Sequence, residues 1–258
     1  MSYDWDNAIE LPRFSREWFD ESDRRFVHAH RLFAHTDVPF GRILPLETLR
    51  GRRVLEIGCG MGLHTEAMVR AGAEVTAIDI SETSCEATRT RLSLKALAAQ
   101  VLLMDARKLQ FPDQSFDFVW SWGVVHHSAQ TALILREISR VLRQGGEVRL
   151  MVYRLGGTCS YATLVRYWLA GFWFGRSFDE VLWKHTDGFM ARYYTEDMMH
   201  DVASLFFSEI ALNSFGQDVD AVPLPRRLRA VVLRFLSRER TAALANRRGS
   251  FLFMTAKR

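Results

Sequence analysis

Three glycines at alternate positions, Gly58, Gly60 and Gly62, stand directly behind the run Val54-Leu55-Glu56-Ile57. Glycine has no Cβ to hold a ligand off the backbone, and such a turn delivers the N–H groups and positive dipole end of the next helix to whatever binds there. Two later apolar runs end in carboxylates, Asp79 and Asp105, which can accept hydrogen bonds from ligand hydroxyl or amino groups. His126 and His127 are adjacent imidazoles able to take a proton near neutral pH; the same rings can equally cap a helix or fill space. The dinucleotide fingerprint needs glycine at its first, third and sixth positions, whereas here the fifth is glycine and the sixth is Leu63. That argues against a nicotinamide-dependent enzyme.

These residues can act together only if strands and helices converge them. Residues 52–58 read as a central parallel strand, and Leu63, Ala67 and Met68 recur at helical spacing behind it. Residues 74–80 read as a second strand, with Thr83 and Glu86 as a capping box for a helix to about Leu97. Further strands are expected over 100–106, 116–123 and 147–153, with Ile134, Ile138, Val141 and Leu142 marking a helix stopped at Gly145-Gly146. Strands over 208–214 and 250–256 complete the pattern. The expected fold is therefore α/β: a Rossmann-like, doubly wound, mostly parallel seven-stranded sheet with helices on both faces. To it are added a helical N-terminal segment (14–35, carrying Trp18) and an aromatic-rich helical insertion. The expected divisions are a cap over 1–45, a cofactor-binding core over 46–154, an insertion over the acceptor site at 155–195, and the end of the sheet with a basic amphipathic helix at 196–258.

The run Glu56-Ile57-Gly58-Cys59-Gly60-Met61-Gly62, followed by Asp79, Asp105-Ala106, "FDFVWSWGVVHH" and "EISRVLRQGGEVRLMVY", resembles class I S-adenosylmethionine-dependent methyltransferases over roughly residues 50–153. The resemblance implies that Glu56 reaches the methionine amino group, Asp79 both ribose hydroxyls and Asp105 the adenine amino group. Gly58, Cys59, Gly60, Gly62, Ile80, Ala106, Ser121 and Trp122 would complete the cofactor site, Trp122 packing on the cofactor or filling core. It also implies transfer of the sulfonium methyl, leaving S-adenosylhomocysteine, so that the protein mainly aligns donor and acceptor, excludes water and at need removes a proton. His126 and His127 are the base candidates. Ser121 stands where a metal-assisted enzyme would want an acid, and no metal is expected.

With 258 residues, 48% hydrophobic and 25% charged, the chain can bury a substantial core. Its longest apolar run, Tyr161 to Phe174, is interrupted by Arg166 and is shorter than the ~20 residues a spanning helix needs. The acidic N-terminus lacks a secretory pattern, and Cys59, Cys85 and Cys159 share no metal-site spacing, so reduced thiols and a cytoplasmic location are expected. Net charge is +4, but Pro223 to Arg258 carries ten Lys and Arg against Glu239 alone.

The acceptor side is written less plainly. Trp18, Tyr161, Tyr193 and Tyr194 are candidate acceptor contacts, with Tyr193 and Tyr194 opening a helix; Tyr167, Trp168, Phe172, Trp173, Phe174 and Trp183 could wall an apolar pocket. The resulting expectation is O-methylation of an apolar or aromatic small molecule in secondary metabolism. A lipid- or quinone-directed C- or N-methyltransferase is the alternative, because Leu228, Val231, Val232, Phe235 and Leu236 form a stripe among arginines like an interfacial helix. That stripe leaves room for peripheral membrane contact, packing on the sheet or a homodimer. A nucleic-acid methyltransferase is disfavoured, since Ser121-Trp122-Gly123-Val124 lacks the polar, proline-rich loop that grips an extruded base.

Overall fold

The computed structural model describes residues 9–175, 177 and 191–258. An eight-stranded sheet runs in the order β3-β2-β1-β4-β5-β8-β7, with β6 paired to β5. Its strands are β1 (Arg53–Ile57), β2 (Glu74–Asp79), β3 (Gln100–Leu103), β4 (Phe116–Trp122), β5 (Leu142–Arg154), β6 (Tyr193–Tyr194), β7 (Ser208–Phe215) and β8 (Phe251–Lys257). Strands β1 to β6 pair in parallel, whereas β8 is antiparallel to both β5 and β7. The order reverses between β1 and β4, and a crevice forms at such a switch point beyond the carboxyl ends of the strands.

Strand alternation sorts the apolar residues onto two faces. Leu55, Ile57, Val119, Val148 and Leu150 join one core. Val54, Val75, Phe118, Trp120 and Phe253 join the other. Helices α2 (Leu63–Arg70), α3 (Glu82–Leu94) and α4 (Thr131–Val141) alternate with strands β1 to β5, and α6 (Glu196–Ser204) precedes β7. Helix α1 (Arg16–Ala29) is capped by Ser15, which accepts from the Trp18 amide. The chain beyond it buries Phe33, Phe40, Ile43, Leu44 and Leu49 in the second core.

Four local expectations are corrected. Ser81, not Thr83, caps α3, accepting from the Ser84 amide, and α3 ends at Leu94 rather than Leu97. Helix α4 ends at Val141, because Leu142 already pairs with Phe116; Gly145, with φ +69°, lies in the irregular stretch before Glu147 pairs opposite Phe118. Tyr193 and Tyr194 open no helix: they pair with Tyr153 and Arg154 as an eighth strand, and α6 starts beyond the Thr195 cap. The helix of the apolar stripe, α8 (Arg226–Leu233), stops before Phe235 and Leu236, and Ser237 then caps a further helix, α9 (Arg238–Arg247). The insertion begins with α5 (Thr158–Arg166), continues through a π turn at Tyr167–Gly171 and closes with a 3-10 turn at Phe172–Phe174. Trp183 lies outside the described residues.

Candidate functional site

Beyond β1 the amides of Gly58 and Cys59 both donate to the Ile78 carbonyl, at 2.7 and 3.1 Å, tying the turn to β2. Gly58 has φ +82°, and a Cβ there would lie 2.1 Å from Val124 Cγ2; Gly62, at φ +77°, is hemmed by Thr88 and Arg91. Those two glycines are demanded by packing. Gly60 differs: a Cβ built on it would meet nothing within 4 Å. Its backbone therefore faces open space, as a ligand cradle requires.

Asp79 faces that turn. Its Oδ2 accepts from the Gly60 amide at 3.1 Å and its Oδ1 from the Ser81 amide at 2.9 Å, while Thr88 Oγ1 donates to the Gly60 carbonyl at 3.1 Å. Each carboxylate oxygen keeps a lone pair for an incoming hydroxyl. The following Ile80 is 69% exposed, and Leu103, at the end of β3, is also exposed. Apolar side chains left open at two neighbouring strand ends suit the faces of a planar base.

Strand β3 stops at Leu103, short of the expected 106, so Asp105 and the half-buried Ala106 lie in the turn beyond it. The Asp105 carboxylate is engaged by Arg107, with Nη2 to Oδ2 at 2.6 Å and Nε to both oxygens at 3.0 and 2.9 Å. That guanidinium holds its pKa below the ordinary carboxylate range. A base amino group would share this carboxylate with Arg107, a partner the sequence reading missed.

Glu56 is only 1% exposed and accepts from the Thr65 hydroxyl. Burial pushes its pKa up to about 8. Next to it, His64 Nδ1 lies 4.0 Å from Glu56 Oε1, and burial pushes that imidazole down to about 3. Cys59 is buried in the turn, its thiol pKa raised by burial and then by Glu56.

The exit of β4 gathers a second group. The Ser121 hydroxyl is buried and donates to the Ile57 carbonyl at 3.1 Å, so it joins β4 to β1 and does not face the crevice. Trp122 is half-buried among His30, Phe33, Phe40 and the parallel ring of Trp120. His126 is fully buried, its ring 4.0 Å from Tyr153 and 4.1 Å from His127; burial, then His127, drives its pKa well below the usual value. His127 is half-buried, 6.0 Å from the Tyr153 ring, which in turn lies 5.9 Å from Tyr193. Tyr153 and Tyr193 meet because β6 pairs with β5, a relationship no local pattern announces.

Three expected acceptor contacts stand elsewhere. Trp18 is 1% exposed and lies in a cluster with Ile9, Phe14, Phe19 and Ala87, against which Met61 of the glycine turn also packs. Tyr194 is buried, its hydroxyl 2.7 Å from Thr131 Oγ1, and serves the core. Tyr161 is exposed on α5. Among the described residues no group of three or more His, Cys, Asp or Glu side chains is arranged around a metal position.

Open backbone at Gly60, a carboxylate fixed beside it and exposed aliphatic side chains at two strand ends fit an adenosyl group with its ribose on Asp79. Residues 55–150 match the model of the family described as methyltransferase domain. The chain is 38% identical over 136 residues to 27-O-demethylrifamycin SV methyltransferase of Amycolatopsis mediterranei, covering 52% of this chain and 48% of that one. It is 34% identical over 148 residues to ubiquinone biosynthesis O-methyltransferase of Sinorhizobium fredii, covering 53% and 60%. The chain thus spans about half the length of the curated relatives it matches. In fold it is similar to Haemonchus contortus phospholethanolamine N-methyltransferase 2, solved with phosphomonomethylethanolamine and S-adenosylhomocysteine: TM-score 0.60, 19% identity, 92% of this chain and 52% of that one.

Proposed function

We propose, from the premise that residues 55–150 make this chain a member of the class I S-adenosylmethionine-dependent methyltransferases, that the protein methylates a hydroxyl of an apolar or aromatic small molecule. One observation carries the cofactor part: the unobstructed backbone of Gly60 beside the doubly anchored carboxylate of Asp79. The oxygen target rests on the relatives, whose names describe O-methylation of a rifamycin and O-methylation in ubiquinone biosynthesis.

When bound, S-adenosylmethionine supplies an activated methyl group. Asp79 accepts from the ribose hydroxyls, and the Gly58–Gly62 turn with Cys59, bare at Gly60, lets the amino-acid part approach the backbone closely. Ile80 and Ala106 border the base, and Asp105 accepts from its amino group while remaining paired with Arg107. Glu56, buried and protonated near neutral pH, meets the methionine ammonium group and loses its proton as that cation arrives. His127 takes the proton of the acceptor hydroxyl, and neutral His126, packed between it and the Tyr153 ring, holds His127 in place. Trp122 closes the N-terminal side and excludes water. A cytoplasmic location belongs to the same reading; no helix of the described residues is long and apolar enough to cross a membrane.

The deciding experiment is calorimetric titration with S-adenosylhomocysteine, followed by methyl transfer from labelled cofactor to a panel of phenols, hydroquinones and polyketide-like alcohols. Binding and label in an ether-cleavable product are expected. A protein that binds a nicotinamide dinucleotide instead, or labels only nucleic acid, overturns the proposal.

A further inference from the structure

Two apolar surfaces turn away from the body of the protein. On α8, Leu228, Val231 and Val232, continued by Phe235, repeat at the spacing of one helical face, and all four are exposed, Phe235 by 81%. The segment is held from its other side, where Leu233 and Leu236 pack on Leu32, Ala221, Val222 and Ala245. An amphipathic helix normally buries its apolar stripe; here the stripe is left in water, which a soluble surface avoids unless something covers it. Exposed Arg227, Arg234, Arg238 and Arg240 fringe it. The second surface follows β5: along α5 and the turns behind it, Val165, Trp168, Leu169, Phe172, Trp173 and Phe174 are all exposed, by 67% at Trp173 and 75% at Phe174.

Both surfaces spring from the end of the sheet that carries the site. Helix α5 leaves the carboxyl end of β5, next to Tyr153 and His126, and its first amide, Thr158, donates to the Arg248 carbonyl at 3.1 Å. It packs on the short helix α7 (Asp218–Ala221), which lies just past the same end of β7, and α8 follows after four residues.

We infer that these two surfaces seat the site-bearing end of the molecule on an anionic lipid bilayer. Leu228, Val231 and Phe235, with Trp168 and Trp173, enter the boundary between headgroups and acyl chains, and the arginines pair with lipid phosphates. The charge pattern selects this occupant. A two-fold contact of α8 with a second copy would press the arginine fringe against itself. A nucleic acid would use the arginines and leave the apolar stripe in water. A further consequence, resting on the methyltransferase reading, is that an apolar acceptor reaches the site from the bilayer.

The full chain is floated with vesicles of phosphatidylcholine alone and with phosphatidylglycerol mixed in, at low and raised salt. Recovery is expected to be about tenfold higher on the mixed vesicles and to fall as salt screens the arginines. Leu228→Glu with Val231→Glu and Phe235→Glu, and separately Trp168→Ser with Trp173→Ser, should each lower it about tenfold, with melting temperature and S-adenosylhomocysteine binding unchanged. Wild-type protein that ignores the mixed vesicles overturns the inference, as does flotation indifferent to both variants, or a dimer that Phe235→Glu turns into monomer. Flotation needs no cofactor, so failure of the methyltransferase reading shows separately, as loss of cofactor binding in a protein that still floats.

Discussion

The amide of Gly60 donates to Oδ2 of Asp79 across 3.1 Å, so the residue that would grip the ribose also fixes the loop against which the cofactor would lie. Its other oxygen takes the Ser81 amide at the start of α3. Asp79 thus couples turn, strand and helix. Asp79→Asn keeps the shape but removes the charge and an acceptor, and should weaken S-adenosylhomocysteine binding by roughly ten- to a hundredfold, the worth of one charge-assisted hydrogen bond. Asp79→Ala frees the loop as well and should bind weaker still. Calorimetry on both checks this, and equal affinity in wild type and Asp79→Asn defeats it.

Gly58 and Gly60 look alike in sequence and differ in surroundings. A methyl group at Gly58 would strike Val124 at 2.1 Å on a backbone with φ +82°. Gly58→Ala should therefore cost about 2–5 kcal/mol of stability through strain and overpacking together. At Gly60 a methyl group meets no protein atom, so Gly60→Ala should cost only about 1–3 kcal/mol of backbone strain yet lower cofactor affinity by projecting into the crevice. Denaturant unfolding beside ligand titration separates the two effects.

Strands β1 to β5 and the glycine turn were legible because each is announced locally: apolar runs of strand length, a helical repeat behind β1, β2 and β4, glycines where the chain must turn. Other features depend on distant partners. Ser81 and Thr83 are both plausible caps by residue type, and the choice falls to Ser81 because its own amide is already held by Asp79. Ser121 reads as a crevice residue until pairing of β1 with β4 sets its hydroxyl against the Ile57 carbonyl. Asp105 carries no mark of Arg107 in its spacing alone, and Tyr153 gains its role only when β6 returns to pair beside it. Trp18 shows the same limit: an aromatic residue on an amphipathic helix reads equally as pocket wall or core, and only the docking of α1 beside α3 decides for core.

Arg91 joins the N-terminal helix to the core. It is 1% exposed, donating from Nη1 to Asp23 Oδ1 at 2.8 Å and from Nε to Glu66 Oε2 at 2.7 Å, with its guanidinium 5.4 Å from the Phe19 ring. Arg91→Met strands the Asp23 carboxylate, whereas Glu66 keeps Arg70 and Lys95, and should cost about 3–5 kcal/mol; adding Asp23→Asn should recover part of that loss. Because α1 also packs beside Met61 through Trp18 and Phe14, cofactor affinity should fall with Arg91→Met. Chemical unfolding of the double-mutant cycle and limited proteolysis of α1 test both statements.

His126 and His127 separate by burial. Burial holds the His126 imidazole neutral throughout the physiological range, so it contributes no charge change to activity. His126→Phe, which keeps a ring against Tyr153, should leave kcat within about threefold, whereas His127→Ala should lower it about 10²- to 10⁴-fold if proton removal limits the rate. Raising pH toward the acceptor's own ionisation should then restore the His127→Ala rate. A variant as fast as wild type at neutral pH would mean the acceptor needs no base.

Glu56 makes stability depend on pH in an unusual direction. Its carboxyl is neutral in the folded protein up to about 8, because burial opposes the charge, but ionises near its ordinary value when the chain unfolds. Between those two values the folded state holds one proton more than the unfolded state, so this group makes folding less favourable as pH rises through that window and adds nothing further above it. Glu56→Gln has the shape of the protonated acid, retains an acceptor for the Thr65 hydroxyl and cannot ionise. It should be more stable than wild type by about 1–3 kcal/mol at pH 8, with the gap closing toward pH 5. The same proton should leave when a cationic ligand settles beside Glu56. S-Adenosylhomocysteine binding at pH 7 should therefore show an enthalpy that varies with the buffer's ionisation heat in wild type and not in Glu56→Gln, and a buffer-independent enthalpy in both would place the ammonium group away from this carboxylate.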